Sequence, residues 1–190
     1  LADGDSVKVF PPCIPPASIP SEEENLLHLV PPDPQPVRFI ADVHLKTLTR
    51  HLRMLGFDTL YDRSWDDDEL AKLSQQQERV LLSRDTRLLM RSNVTRGLYI
   101  RSTHPRAQIV EVINRYDLSR CIDPFKRCIS CNGEITAVER EEIDRESVPA
   151  GVLKRAGSIF RCKACGKYYW NGTHVEKMQE KINDIRRRLG

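Results

Sequence analysis

The sequence predicts an α/β fold, a parallel sheet flanked by helices, followed by a small cysteine-bearing module and a terminal helix. Three observations carry that prediction. Between residues 37 and 122, short apolar runs alternate with stretches of helical periodicity, the pattern of repeated β-α units. Beyond residue 123 two C-x-x-C pairs appear, Cys128 with Cys131 and Cys162 with Cys165. Nine of the twelve prolines fall in residues 1–36, around the acidic run Glu22, Glu23, Glu24, so that segment has the composition of a linker. The expected division is therefore a Pro-rich segment at 1–36, an α/β domain at 37–122 and a cysteine module with a basic helix at 123–190.

The elements follow in order. LADGDSVKVFPP at the start, with an Asp-Gly turn before alternating Val7 and Val9, reads as one β-strand. VRFIAD (37–42) is an apolar strand ending in a carboxylate, and HLKTLTRHLRMLG (44–56) spaces Leu45, Leu48, Leu52 and Leu55 along one helical face before Gly56 stops it. FDTLY gives a second strand. DDDELAKLSQQQ is a helix with acids in its first turn, where the helix dipole favours them. RVLLS (79–83) is a third strand, followed at once by Asp85, and GLYIRS (97–102) is a fourth. A Thr103 cap with Pro105 in the first turn opens the next helix, through Ile109, Val112, Ile113 and Tyr116. After the cysteine module, a capping box from Thr173 to Glu176 starts a charged helix running to Arg188.

Composition limits the function classes. No run of about 18 apolar residues exists to span a bilayer. The start lacks the basic segment and apolar run of a signal peptide, so the expectation is a cytoplasmic protein with no membrane partner. Because the chain opens on Leu1, a fragment or processed form is expected and an organellar location stays open. The net charge of +3 is too small to argue a partner by itself, but it is unevenly spread. Residues 1–36 hold 1 Lys/Arg against 6 Asp/Glu, residues 37–119 hold 14 against 11, and residues 120–190 hold 15 against 10. The cationic excess thus sits in the segments that read as folded.

Four thiolates on two knuckles suit a tetrahedral zinc ion, and such a site leaves no position for water, which makes the metal structural. The 30 residues between the pairs exceed the usual ~15–20, so an insertion must fold between them. Asp42 and Asp85 each end a strand at the edge where an open parallel sheet binds ligands. Asp66, Asp67, Asp68 and Glu69 start a helix able to bring a third acid there. Carboxylates meeting at one place need a cation, and oxygen-only clusters select Mg²⁺ or Mn²⁺. Taken singly, each acid reads more readily as a helix cap or helix-dipole acid, and only the joint placement raises the functional reading.

These residues also resemble a known family. RFIADVHLKTLTRHLRMLGFDTLY, DDDEL, RVLLSRDTRLL, TRGLYIRS, PFKRCISCNG and FRCKACGKYYWNGTH, in that order, closely resemble the RNase domain named for the C-terminus of the Mut-seven exonuclease. The resemblance implies a PIN-like α/β fold with a four-cysteine zinc ribbon and RNA cleavage by divalent ions held on Asp42, Asp67 and Asp85, with Asp68 a rival to Asp67. Family members often carry a ubiquitin-like β-grasp module upstream, of which the first dozen residues resemble the last strand. RNA is then the expected partner, with the ribosome or tRNA as further ones.

Arg84 and Arg87 flank Asp85 and, with Arg96 and Arg101, are candidates to hold phosphates. Arg186, Arg187 and Arg188 are candidates at the terminal helix. A solvated basic face competes with both assignments. Phe160, Tyr168, Tyr169 and Trp170 read as packing around the ribbon before they read as stacking platforms for RNA. His44 is not expected to be a ligand, nor is His174. A non-catalytic RNA- or ribosome-binding protein and a protein-interaction adaptor are the competing functions.

Overall fold

A computed structural model describes residues 36–144, 146–155 and 157–189. The linker and the strand resembling a ubiquitin-like remnant lie outside the described residues.

Four strands form the main sheet: β1 (Phe39–Ala41), β2 (Thr59–Leu60), β3 (Val80–Ser83) and β4 (Gly97–Tyr99). Their order is β2-β1-β3-β4 and all are parallel, with Phe39 level with both Thr59 and Val80. Every residue of β1 and β3 is buried, which is why both read as continuous apolar runs rather than alternating ones.

Alternate residues of those strands feed two cores. Phe39, Ala41, Val80 and Leu82 face helices α1 (Lys46–Met54) and α4 (Pro105–Arg115), which supply Leu48, Leu52, Ile109, Val112 and Ile113. Ile40 and Leu81 face the other way, onto Leu70 and Ala71 of α2 (Asp67–Gln76) and Leu88 of α3 (Thr86–Leu89). The sheet is thus sandwiched between helices, as the β-α alternation predicts.

The cysteine module is a three-stranded antiparallel sheet, β5 (Ile135–Val138), β6 (Ile159–Cys162) and β7 (Tyr168–Trp170), in that spatial order. The insertion expected between the cysteine pairs contains β5, a short helix α5 (Ala150–Arg155) and β6. Ile143, Val148, Ile159 and Tyr168 make its small core. The terminal helix α6 (Thr173–Leu189) leaves this module and returns to the main body, where Met178, Ile182 and Ile185 join the α1/α4 core.

The segment leading into the cysteine module is also joined through the backbone to the end of α1. Asp123 and Phe125 donate amides to Leu55 O at 3.0 Å and Met54 O at 3.2 Å. Gly56, at φ +97°, makes this approach possible, because a Cβ there would lie 2.0 Å from Asp123 O.

Two helix starts differ from the sequence expectation. His104, not Thr103, precedes α4, since Pro105 takes the first helical position and Thr103 stays in the loop. At α6 the amide of Glu176 bonds to Gly172 O at 3.1 Å, so Gly172 occupies the cap position and Thr173 is already helical.

Candidate functional site

The cysteines converge. Cys128 and Cys131 lie on the turn before β5, Cys162 ends β6 and Cys165 lies on the turn that leads into β7. All four sulfurs lie within 4.8 Å of one another, with Cys128 to Cys165 at 3.7 Å and Cys131 to Cys162 at 3.4 Å. A tetrahedron with metal–sulfur bonds of ~2.3 Å has sulfur–sulfur edges of ~3.8 Å, so the donor set fits one tetrahedral ion. Cys128 and Cys162 are buried, while Cys131 and Cys165 are exposed.

The electrostatics favour a cation here. Burial opposes ionisation of Cys128, but the Tyr169 hydroxyl at 3.0 Å and the amides of Cys131 and Ser130 outweigh it and bring the thiol down to about 6. Burial instead pushes Cys131 up to about 12. Four adjacent thiols resist carrying four charges, and a bound metal is what permits all of them to ionise.

The first knuckle is clasped to the main sheet. Asn132, at φ +73°, accepts the amide of Thr59 at 2.9 Å through Oδ1 and donates Nδ2 to Asp58 at 2.7 Å. Buried Arg53 donates to Ile129 O and Ser130 O inside the knuckle, and to Thr59 O. Asp58 also pairs with Arg79 at 2.7 Å. Burial alone would raise Asp58, yet the hydrogen bonds from Arg79 and Asn132 hold it below the ordinary carboxylate value. The outer backbone edge of β2 is thereby capped by the metal-binding turn.

At the carboxyl edge of the sheet, Asp42 is 4% exposed. Its Oδ1 accepts the His44 amide at 2.6 Å and its Oδ2 accepts the Ser83 hydroxyl. The Ser83 Oγ in turn accepts the Asp85 amide at 2.9 Å, so one buried hydroxyl links the two strand-ending acids. No Lys, Arg or His side chain pairs with Asp42 among the described residues. Asp85 is exposed and accepts the Arg87 amide at 2.7 Å. Both acids therefore also cap short helices, Asp42 that of Val43–Leu45 and Asp85 that of α3.

In the acidic run the roles separate. Asp66 caps α2, Asp68 pairs with Arg91, and Asp67 is exposed with no side-chain partner among the described residues. Among the described residues the cysteines are the one group of three or more potential ligands gathered closely enough to hold a metal, so Asp42, Asp67 and Asp85 are not drawn together to that degree.

Beside Asp85 lies an open cleft of about 560 Å³ lined by His44, Arg84, Asp85, Thr86, Thr103 and Gln108. Arg84 donates one guanidinium nitrogen to Ile100 O, Arg101 O and Ser102 O, at 3.1, 3.0 and 2.6 Å, so it braces the chain after β4 as well as lining the cleft. Arg87 is exposed on α3, and Arg101 is exposed after β4. Arg96 stands at the amino end of β4, the edge of the sheet away from Asp85. Of the terminal arginines, Arg187 and Arg188 reach Asp184 at 3.6 and 3.1 Å, and Arg186 is exposed. Tyr168 packs in the ribbon core, and Tyr169 contacts Cys128.

Sequence reading passed over Ser83, Asn132 and Arg53, and it set His44 aside. His44 lines the cleft because the chain leaves the strand after Ala41 and turns through Val43–Leu45, so strand alternation no longer orients it. The pairing of a strand-ending Ser with a nearby Asp in Ser83-Arg84-Asp85 was the one available signal for Ser83.

No helix among the described residues is long and apolar enough to cross a membrane. No curated protein and no solved structure matches the chain. Residues 37–182, however, match the family model for the Mut7-C RNAse domain from the start of the sheet into the terminal helix. Parallel sheet, cysteine cluster and terminal helix thus form one matched unit, and the chain belongs to the Mut7-C RNase domain family.

Proposed function

We propose that the protein is a metal-dependent ribonuclease of PIN-like type that hydrolyses RNA phosphodiester bonds at the Asp42/Asp85 edge, while a zinc ion on the four cysteines serves structure alone. One observation carries the reading: Asp42 is a buried carboxylate with a hydrogen bond to each oxygen and no side-chain cation beside it. Burying an unpaired charge is costly, and the protein supplies only neutral donors, so a cation from solution is the natural complement.

Asp42, Asp85 and Asp67 would hold Mg²⁺ or Mn²⁺, oxygen donors being what those ions prefer. When bound, such an ion supplies activated water and neutralises charge on the phosphoryl oxygens. Ser83 orients Asp42 by donating to it and fixes the turn of Asp85 by accepting its amide. Arg84 holds residues 100–102 as one wall of the cleft. His44, Thr103 and Gln108 line it with groups suited to sugar and phosphate oxygens. Asp67 is preferred to Asp68 as the third acid because Arg91 already occupies Asp68.

Labelled single-stranded and structured RNAs, incubated with the full chain in Mg²⁺, in Mn²⁺ or with no added divalent ion, test this. Cleavage should require the divalent ion and fall at least ~100-fold in Asp42→Asn and Asp85→Asn, at or beyond the upper end of what damage around a metal site costs. Folded variants that cut as fast as the parent would remove the assignment and trace the activity to another source; a parent that binds RNA without cutting it would leave the non-catalytic RNA-binding reading.

A further inference from the structure

A second concave surface lies next to the acid cleft, between α4 and α6. It encloses about 520 Å³ and is lined by Arg106, Lys177, Met178, Glu180, Lys181, Asp184 and Arg187. Its position follows from the topology. Helix α4 starts just after β4, at the carboxyl edge of the sheet, and its first turn is shared by the two surfaces: Gln108 lines the acid cleft and Arg106 the groove. Arg106 also reaches Asp184 of α6 at 3.6 Å, which brings the carboxyl half of α6 to this same edge. The groove and the cleft therefore flank the first turn of α4 on different faces, since residues two apart on a helix do not face the same way.

The groove is built from the rim of an amphipathic helix. Met178, Ile182 and Ile185 are buried against the main core, and Lys177, Lys181 and Arg187 stand exposed beside that stripe. Four cations face two carboxylates, and one of these, Asp184, is shared by Arg106, Arg187 and Arg188. The surplus charge is felt in the interior. After burial, which contributes most, Lys181 is the next largest influence lowering the pKa of His51 on α1, with Arg50 and Arg106 adding to it. From Lys177 to Arg187 the helix runs about 15 Å. A stacked strand carries a phosphate every ~3.4 Å, so about four phosphates fit along it.

Resting on the ribonuclease reading above, we propose that this α4/α6 groove is the track for the RNA backbone leading away from the scissile bond, with Arg106, Lys177, Lys181 and Arg187 binding its phosphates. Its occupant is a single strand, held by charge and not by base identity. Three of these four residues lie outside the terminal arginine cluster that the sequence singles out.

The test uses the full chain and fluorescein-labelled single-stranded RNAs of 8 and 16 nucleotides without chelator and without added Mg²⁺ or Mn²⁺, titrated across salt. The substitutions Arg106→Gln, Lys177→Gln and Lys181→Gln are combined; all three side chains are exposed, so the fold is kept. Each phosphate-binding cation removed should flatten the slope of log affinity against log salt by about 0.7, about 2 for the three. The variant should also lose the affinity that the parent gains from the longer RNA. A control with Lys126→Gln and Lys163→Gln, which lie on the cysteine module, should keep the parent slope. If the parent cuts and binds RNA and the triple variant keeps its slope and length dependence, the groove serves another occupant, such as an acidic protein segment, and the proposal fails alone. A parent that neither binds nor cuts RNA overturns this proposal together with the function it rests on.

Discussion

On the proposed reading the sulfur cluster and the carboxylate edge both take cations, but they are prepared to different degrees. The four sulfurs already sit within 4.8 Å of one another, while Asp42, Asp67 and Asp85 are spread over a strand end, a helix start and a loop. Two C-x-x-C turns fix their ligand pairs locally, and one antiparallel pairing, with Ile135 opposite Cys162, brings the pairs together. The acids depend on how far apart three β-α units end, and three anions repel until a cation offsets them. A site whose geometry is set by covalent spacing is therefore complete in the bare chain. One set by topology and charge would be completed by the ion proposed to bind there.

The same difference decides what was legible in the sequence. Parallel strand pairing, the flanking helices and the cysteine pairs follow from periodicity and spacing, and the structure bears them out. Asp42 and Asp85 were legible as strand-ending acids because a parallel sheet carries its loops at that edge. Ser83 was much less so, since a buried serine looks like any other small residue until its partners are known. Asn132 and Arg53 were equally opaque, because their partners lie 73 to 77 residues away in the chain. The return of α6 to the main core also escaped the reading: its Met178, Ile182, Ile185 stripe fits any apolar neighbour.

The largest expected effect breaks the comparison at the sulfur side. Structural zinc contributes folding free energy directly, with apparent values of ~10–16 kcal/mol in isolated zinc-finger peptides. From the sequence alone, metal removal should loosen residues 125–170 before the main sheet. The clasp through Asn132 and Arg53 carries the disturbance further, to the amide of Thr59 on β2. Chelation, or Cys162→Ser, should therefore raise hydrogen exchange at 57–61 as well as in the ribbon, measured by mass spectrometry. Unchanged protection at 57–61 would show the two regions to be uncoupled.

A smaller effect is expected from the one hydroxyl that joins the two acids. Ser83→Ala removes the donor to Asp42 and the acceptor for the Asp85 amide while leaving every carboxylate in place. Removing a group that orients a metal ligand typically costs ~10–100-fold in metal affinity or activity. Cleavage should fall within that range and recover partly at high Mn²⁺. Ser83→Thr, which keeps the hydroxyl, should retain more activity than Ser83→Ala. Equal rates for parent and Ser83→Ala would mean that the carboxylate edge needs no such preparation.

The smallest effect concerns pH, which acts on both regions for different reasons. Acid releases a thiolate-bound metal because the ligands must be deprotonated, and this lowers stability through the ribbon. The main body has its own response through His51, on α1 beneath the α4/α6 groove. Burial lowers its pKa first, with Lys181, Arg50 and Arg106 adding to that against a raising hydrogen bond to the Pro105 backbone. Below its ordinary value of 6.5 the unfolded chain binds a proton that the folded chain still refuses. Stability from the neutral ring is therefore full above about pH 6.5 and is lost as pH falls toward the folded-state value. His51→Gln removes the titration but leaves the cysteines intact, so the difference between parent and variant cancels the metal contribution. Thermal melts from pH 7.5 to 5 should show the parent losing more stability than His51→Gln. Parallel curves would assign the whole acid response to the sulfur site.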